Sequence, residues 1–337
     1  MELIFALSIF VILGGFAALY WLHSRKDQIQ QRAREAITTA RETLSLAGFP
    51  FSVDGYIGNY RITERLNDGG LSYLYKVEDR HSIPHVLKVL KPEHYQDTEF
   101  LHRFRRETEI LKTLNHPQIV RFESSGEEMW NGIPIPYFVR EYVRGISLAA
   151  HLEEQKKLPL ETTLNYAASL CQALDYAHLL DIVHRNVKPQ NVLIGPQGNV
   201  KLINFSVARD MSGDAVTQAG TPIGTLMYMA PEQIKGESVG PFTDVYAVGV
   251  LLYQLATGDY PFPKEKPYQL ASMILQVVPA DPSFRNADIT PDVSKVIVRA
   301  MEKRPQDRYP NMPAFISDLN ACLDRMHLEQ KHQEKSS

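Results

Sequence analysis

Apolar and polar positions alternate along this chain with three successive periods. From Leu3 to Leu22 no charged residue interrupts the apolar run, which ends in Tyr20, Trp21 and then His23, Arg25 and Lys26. A helix of that length rises about 30 Å, enough to cross the hydrocarbon core of a bilayer. A cleaved leader would want a basic start and a clear small-residue cleavage site, whereas Glu2 leads here. Residues 1–23 are therefore expected to be a retained transmembrane anchor. Basic residues on its C-terminal side place the rest of the chain in the cytoplasm. From Ser24 to Leu46, Ile29, Ala33, Ile37, Ala40 and Leu44 recur at helical spacing in a Gln-, Arg- and Glu-rich stretch, predicting a narrow-faced spacer helix. That face could serve as a solvated spacer or as a pairing surface for a second copy. Gly48, Pro50 and Gly55 then mark a boundary, so residues 24–56 read as a juxtamembrane helix and linker.

Strand-like alternation follows at Tyr60–Leu66, Tyr73–Val77, His85–Leu90, Ile119–Glu123 and Tyr137–Tyr142, with one helical stretch from Thr98 to Leu114. Beyond Gly145 the period changes to that of helices. Leu160–Leu180 repeats apolar residues three and four apart, and Val245–Ala256 is apolar on nearly every side but too short to span a membrane. The pattern predicts an α+β body over 57–325, with a strand-rich lobe at 57–143, a helical lobe at 144–325 and a ligand cleft between them. Residues 326–337 read as a polar tail.

The 337 residues carry 36 Lys and Arg against 39 Asp and Glu, with 44% hydrophobic content. That near-neutral, globular balance excludes a disordered chain or a nucleic-acid coat. Cys171 and Cys322 stand far apart and form neither a disulfide framework nor a zinc motif.

Ordered motifs carry the chemistry. Leu66-Asn67-Asp68-Gly69-Gly70-Leu71-Ser72 precedes a strand, Val86-Leu87-Lys88 lies on a later one, and Glu107 sits on the helix. His184-Arg185-Asn186-Val187-Lys188-Pro189-Gln190-Asn191, Asn204-Phe205-Ser206, Ala230-Pro231-Glu232, Asp244 and Arg308 follow in order. This set resembles the eukaryotic-type protein kinases from about Tyr60 to Leu323, and is most similar to the bacterial membrane-anchored serine/threonine kinases. The resemblance implies a bilobal kinase fold behind the anchor. It also implies ATP and magnesium in the cleft, with Lys88 on the phosphates and Glu107 holding Lys88. Gly69, Gly70, Val86, Arg140, Glu141, Val143 and Leu193 complete the nucleotide side. Asn186 and Lys188 take the catalytic places, and Asn191 and Asn204 the metal places.

The departures are selective. Asn186 replaces the aspartate that accepts or orients the substrate proton; an amide is no base near neutral pH, and such help is worth about 10²–10⁴ in rate. Asn204 replaces the metal-binding aspartate, so a divalent ion loses a full negative charge. Asn67 and Ser72 replace two of the three phosphate-loop glycines. Val86 enlarges the adenine roof, and Arg140 fills the gatekeeper place, where it would either reach Glu107 in competition with Lys88 or extend out of the cleft. Phe205, His184, Glu232, Arg308 and Asp244 all fit. Ser212, Thr217, Thr221 and Thr225 offer hydroxyls beside Arg185 for a phosphate added by another kinase. The sequence therefore predicts a catalytically impaired, membrane-anchored kinase-like protein that acts through protein partners, an active kinase or a second copy among them. Neither nucleic acid nor a firmly bound cofactor is expected, and ATP with magnesium enters only if residual nucleotide binding survives. The alternative is a divergent serine/threonine kinase with weak phosphotransfer.

Overall fold

The computed structural model describes residues 51–95, 97–205 and 223–336. The expected anchor, the spacer helix, Ser206 and the hydroxyls Ser212, Thr217 and Thr221 lie outside them. Among the described residues no helix is long and apolar enough to cross a membrane.

The first lobe is an antiparallel sheet built from β1 (Tyr56–Ile57), β2 (Tyr60–Gly69), β3 (Ser72–Glu78), β4 (Pro84–Leu90), β5 (Phe122–Trp130) and β6 (Ile133–Glu141), in the order β1-β2-β3-β4-β6-β5. Helix α1 (Thr98–Thr113) is inserted between β4 and β5. The Asp97 side chain starts it by accepting from the Glu99 and Phe100 amides, two of the donors a helix start leaves unmet. Alternation explains the sheet: Ile62, Tyr75, Val77, Leu87, Val89 and Val139 pack into one cluster.

The strand expected at Ile119–Glu123 is displaced. Ile119 is buried and only bridges Leu202, while the strand proper runs from Phe122 to Trp130. Gly126 and the acidic pair after it obscure the period, yet the glycine is what lets β5 close on β6. A Cβ there would meet the Tyr137 hydroxyl at 2.8 Å.

The second lobe begins with β7 (Ile146–Ser147), α2 (Leu148–Gln155) and α3 (Leu160–His178). It continues through β8 (Val192–Ile194), β9 (Val200–Leu202), α4 (Ile223–Leu226) and α5 (Pro231–Lys235), and ends with α6 (Pro241–Thr257), α7 (Pro267–Gln276), α8 (Pro291–Ala300) and α9 (Met312–Ser336). Helix α6 is buried from Thr243 to Thr257, as its all-round apolar sequence requires. Helix α9 corrects the expected tail, because 326–336 continues as helix. No proline or glycine follows Pro313, and Glu, Gln, Lys and Leu all favour continuation. One core runs from Phe104, Leu111 and Phe138 of the first lobe through Phe205 into α3 and α6, so the lobes share a single apolar spine.

Candidate active site

The cleft is roofed by β4 and β6 and floored by the loops on either side of β8 and β9. On the roof, Lys88 is held from the helix: its ammonium donates to both Glu107 oxygens at 2.8 and 2.9 Å. Both groups are largely buried, so the pair is a defined structural contact rather than a screened surface one. Val86 is buried opposite Arg140, and Lys88 lies opposite Phe138. Gly69 pairs with Ser72, leaving Gly70 and Leu71 as the two-residue turn of a tight hairpin.

Arg140 neither reaches Glu107 nor escapes to solvent, which corrects both sequence expectations. Lys88 occupies both carboxylate oxygens, and the guanidinium lies buried on the inner sheet face with Nη1 lacking any hydrogen-bond partner among the described residues. Burial pushes its pKa down to about 10, opposed by the nearby Glu107 and Glu141 carboxylates, so it remains a cation at neutral pH.

The lower loop is anchored from below by Asp244, which is fully buried. Its carboxylate accepts from the His184 amide at 2.9 Å, the Arg185 amide at 2.8 Å and the His178 ring at 2.8 Å. Arg185 consequently sits at φ 62°, a left-handed conformation that a long side chain adopts only when its surroundings impose it. Gln233 adds a bond to the Arg185 carbonyl. The His184 ring contacts Phe205 edge-on at 4.8 Å and also meets the Ile203 carbonyl. Burial lowers the His184 pKa despite Asp244 nearby, and the ring stays neutral.

Above this anchor the side chains of Asn204 and Asn191 and the backbone carbonyl of Asn186 form one chain. Asn191 Nδ2 donates to the Asn186 carbonyl at 2.8 Å, and Asn204 Nδ2 donates to Asn191 Oδ1 at 3.0 Å. The backbone carbonyl sets the sense of both amides: Asn191 must present its NH₂ there, so its oxygen faces Asn204, which must in turn present an NH₂. Asn204 itself is at φ 61°, a region asparagine tolerates well. This donor set does not fit a divalent cation. A hard ion wants anionic oxygens, whereas here the Asn191 oxygen is already taken by an N–H. Asn204→Asp is expected to lower the melting temperature in EDTA, at a cost of about 1–3 kcal/mol, because it sets an anionic oxygen against Asn191 Oδ1. An unchanged or raised melting temperature would contradict the asparagine chain.

Lys188 donates to the Thr225 hydroxyl at 2.9 Å, and partial burial lowers its pKa. Thr225 thus faces Lys188, whereas the sequence grouped it with Arg185. Leu193 is half-buried on β8. Glu141 turns away from the cleft to pair with Lys201, and with Val143 it lines a groove of about 560 Å³. The same groove takes in His85, Arg121 and Glu123, on the sheet face opposite Val86 and Lys88. Among the contacts that sequence reasoning missed are His178 and Gln233. Neither belongs to a motif, and only the fold brings them beneath the loop.

A two-lobed fold with a lysine–glutamate pair above an anchored loop of this kind defines a phosphotransferase scaffold. A sequence model of the protein kinase domain matches residues 60–317, and the chain belongs to that family. It is 38% identical over 270 residues to a probable serine/threonine-protein kinase of Streptomyces coelicolor, covering 79% of this chain and 40% of that one. It is 36% identical to the serine/threonine-protein kinase PknB of Mycolicibacterium smegmatis, covering 80% of this chain and 43% of that protein. To PrkC of Bacillus subtilis it is 32% identical, covering 81% and 42%. The chain therefore spans about two fifths of the length of these relatives. Among solved structures, the kinase domain of Mycobacterium tuberculosis PknI superposes with a TM-score of 0.63 at 27% identity, covering 80% of this chain and 99% of that one.

Proposed function

We propose that this protein is a pseudokinase: a kinase-fold protein that serves as a signalling scaffold or regulator rather than as a phosphotransferase. The observation that supports this reading is that the amide of Asn204, at the place of the metal carboxylate, is spent on a neutral internal hydrogen bond to Asn191, while a second amide, Asn186, stands at the place of the proton acceptor. The residues that hold the lobes and the loop in position remain intact around it. In this reading the apolar run at 3–22 anchors the chain in the cell membrane with the kinase-like body in the cytoplasm, and the partners are proteins, an active kinase or a second copy of this chain.

ATP with magnesium would supply the transferable phosphoryl group in an active relative; here Lys88 and Glu107 retain the contact that orients phosphates without a base or a metal carboxylate beside it. That intact pair favours the second reading, a divergent kinase with weak transfer. One assay separates them. The full chain, with radiolabelled ATP, magnesium and a generic basic substrate, is expected to transfer phosphate at least about 10²–10⁴-fold more slowly than an active serine/threonine kinase assayed in parallel. Turnover at an ordinary kinase rate that Lys88→Met abolishes would overturn the pseudokinase reading.

A further inference from the structure

The charge balance of this cleft is reversed from what a metal-dependent site needs. Along β4 and β6, Lys88 pairs with Phe138 and Val86 with Arg140, so the two cations share one sheet face, two residues apart along the strands. Glu107 is committed to Lys88 with both oxygens. Arg140 is only 6% exposed, and its Nη1 has no hydrogen-bond partner among the described residues. Lys188, across the cleft, is met by a hydroxyl rather than a carboxylate. Asn186 and Asn204 are amides. Among the described residues the site thus sets three cations against Glu107, with Glu141, itself paired with Lys201, the other carboxylate that acts on Arg140.

A buried guanidinium nitrogen without an acceptor is costly, and a bound anion would offset that cost. The charge also acts without contact, because Coulomb attraction over the spacing of neighbouring side chains stays large in a partly dry cleft. From these observations we infer that the cleft binds a phosphate-bearing anion directly, with no divalent cation, and that Lys88 and Arg140 supply the positive charge a metal ion would otherwise bring. The inference rests on the non-transferring reading of the site and extends it by naming the ligand chemistry. Magnesium then competes with the protein for the same phosphates instead of bridging to it.

The test is thermal melting of the purified full chain with ATP, ADP or tripolyphosphate, each in excess EDTA or excess magnesium, with affinity taken from the concentration dependence of the shift. ATP is expected to raise the melting temperature in EDTA at least as much as in magnesium. Tripolyphosphate matching ATP would assign recognition to the phosphate chain; a response to the nucleotides alone would give the base a share. Arg140→Met is expected to bind about tenfold or more weakly while melting no lower than the unaltered chain, since it removes an unpaired buried charge. Arg140→Lys, which keeps the charge, should retain most of the affinity and covers the case in which the methionine variant fails to fold. A shift that requires magnesium, no shift with any of the three ligands, or unchanged affinity without the charge at 140 would each overturn the inference. Phosphoryl transfer at an ordinary rate would instead overturn the pseudokinase reading, and the EDTA measurements would still decide this one.

Discussion

Arg308→Met should unfold the helical lobe at markedly lower denaturant, with a loss of about 3–5 kcal/mol. The Arg308 guanidinium is fully enclosed and meets Glu232 twice, at 2.9 and 2.8 Å, in the two-pronged geometry that suits a carboxylate. It also donates to the carbonyls of Phe242, Glu302 and Lys303 and lies over the Tyr246 ring at 4.9 Å. Removing it strands a buried carboxylate that, among the described residues, only the Thr243 hydroxyl still serves. Pairing Arg308→Met with Glu232→Leu should recover part of the loss, because no buried charge then remains, but not all of it, because the three carbonyls stay unmet. Urea unfolding of the two single variants and the double variant measures the coupling. A single-variant loss below about 1 kcal/mol would show that the pair is not the tie it looks to be.

Asp244→Ala should cost about 3 kcal/mol or more and should act locally as well as globally. It leaves the His184 and Arg185 amides and the His178 ring without their acceptor at the same time. Arg185 would then have no reason to hold φ 62°, and the loop carrying Asn186, Lys188 and Asn191 would relax. Hydrogen exchange is the discriminating measurement: the amides of His184 and Arg185 should lose protection well beyond that expected from the change in global stability. Uniform loss across the lobe would mean that Asp244 contributes only to packing. Asp244→Asn should fall between, since its oxygen still accepts while its NH₂ now faces other donors.

The two lobes, their order along the chain and most of their elements were legible without coordinates. The reason is local: Tyr73–Val77 alternates because one face is buried, His85–Leu90 is apolar at most positions because both of its faces are covered, and the nearly all-apolar stretch at Val245–Ala256 can only be a core helix. Boundaries failed where local pattern and pairing disagreed. The strand after Ile119 is placed by its partner β6 and by the small size of Gly126, which no period reports. The final helix was hidden because a polar solvent-facing helix and a polar tail have the same composition.

The site divides the same way. The amino-acid sequence by itself determined which chemical groups are present: an amide at 186, another at 204, a lysine with a glutamate to hold it, and a cation at 140. Their spacing in the motifs was enough to say what they replace. Only the tertiary structure decided what each group is bonded to. It showed that Lys88 takes both oxygens of Glu107 and leaves Arg140 Nη1 buried without a partner among the described residues, that Asn204 and Asn191 are tied in one chain to the backbone carbonyl of Asn186, and that His178 and Gln233 brace the loop from outside any motif. The physical reason is that composition and charge belong to residues one at a time, whereas a hydrogen bond or an unmet charge belongs to a pair that folding brings together from distant parts of the chain.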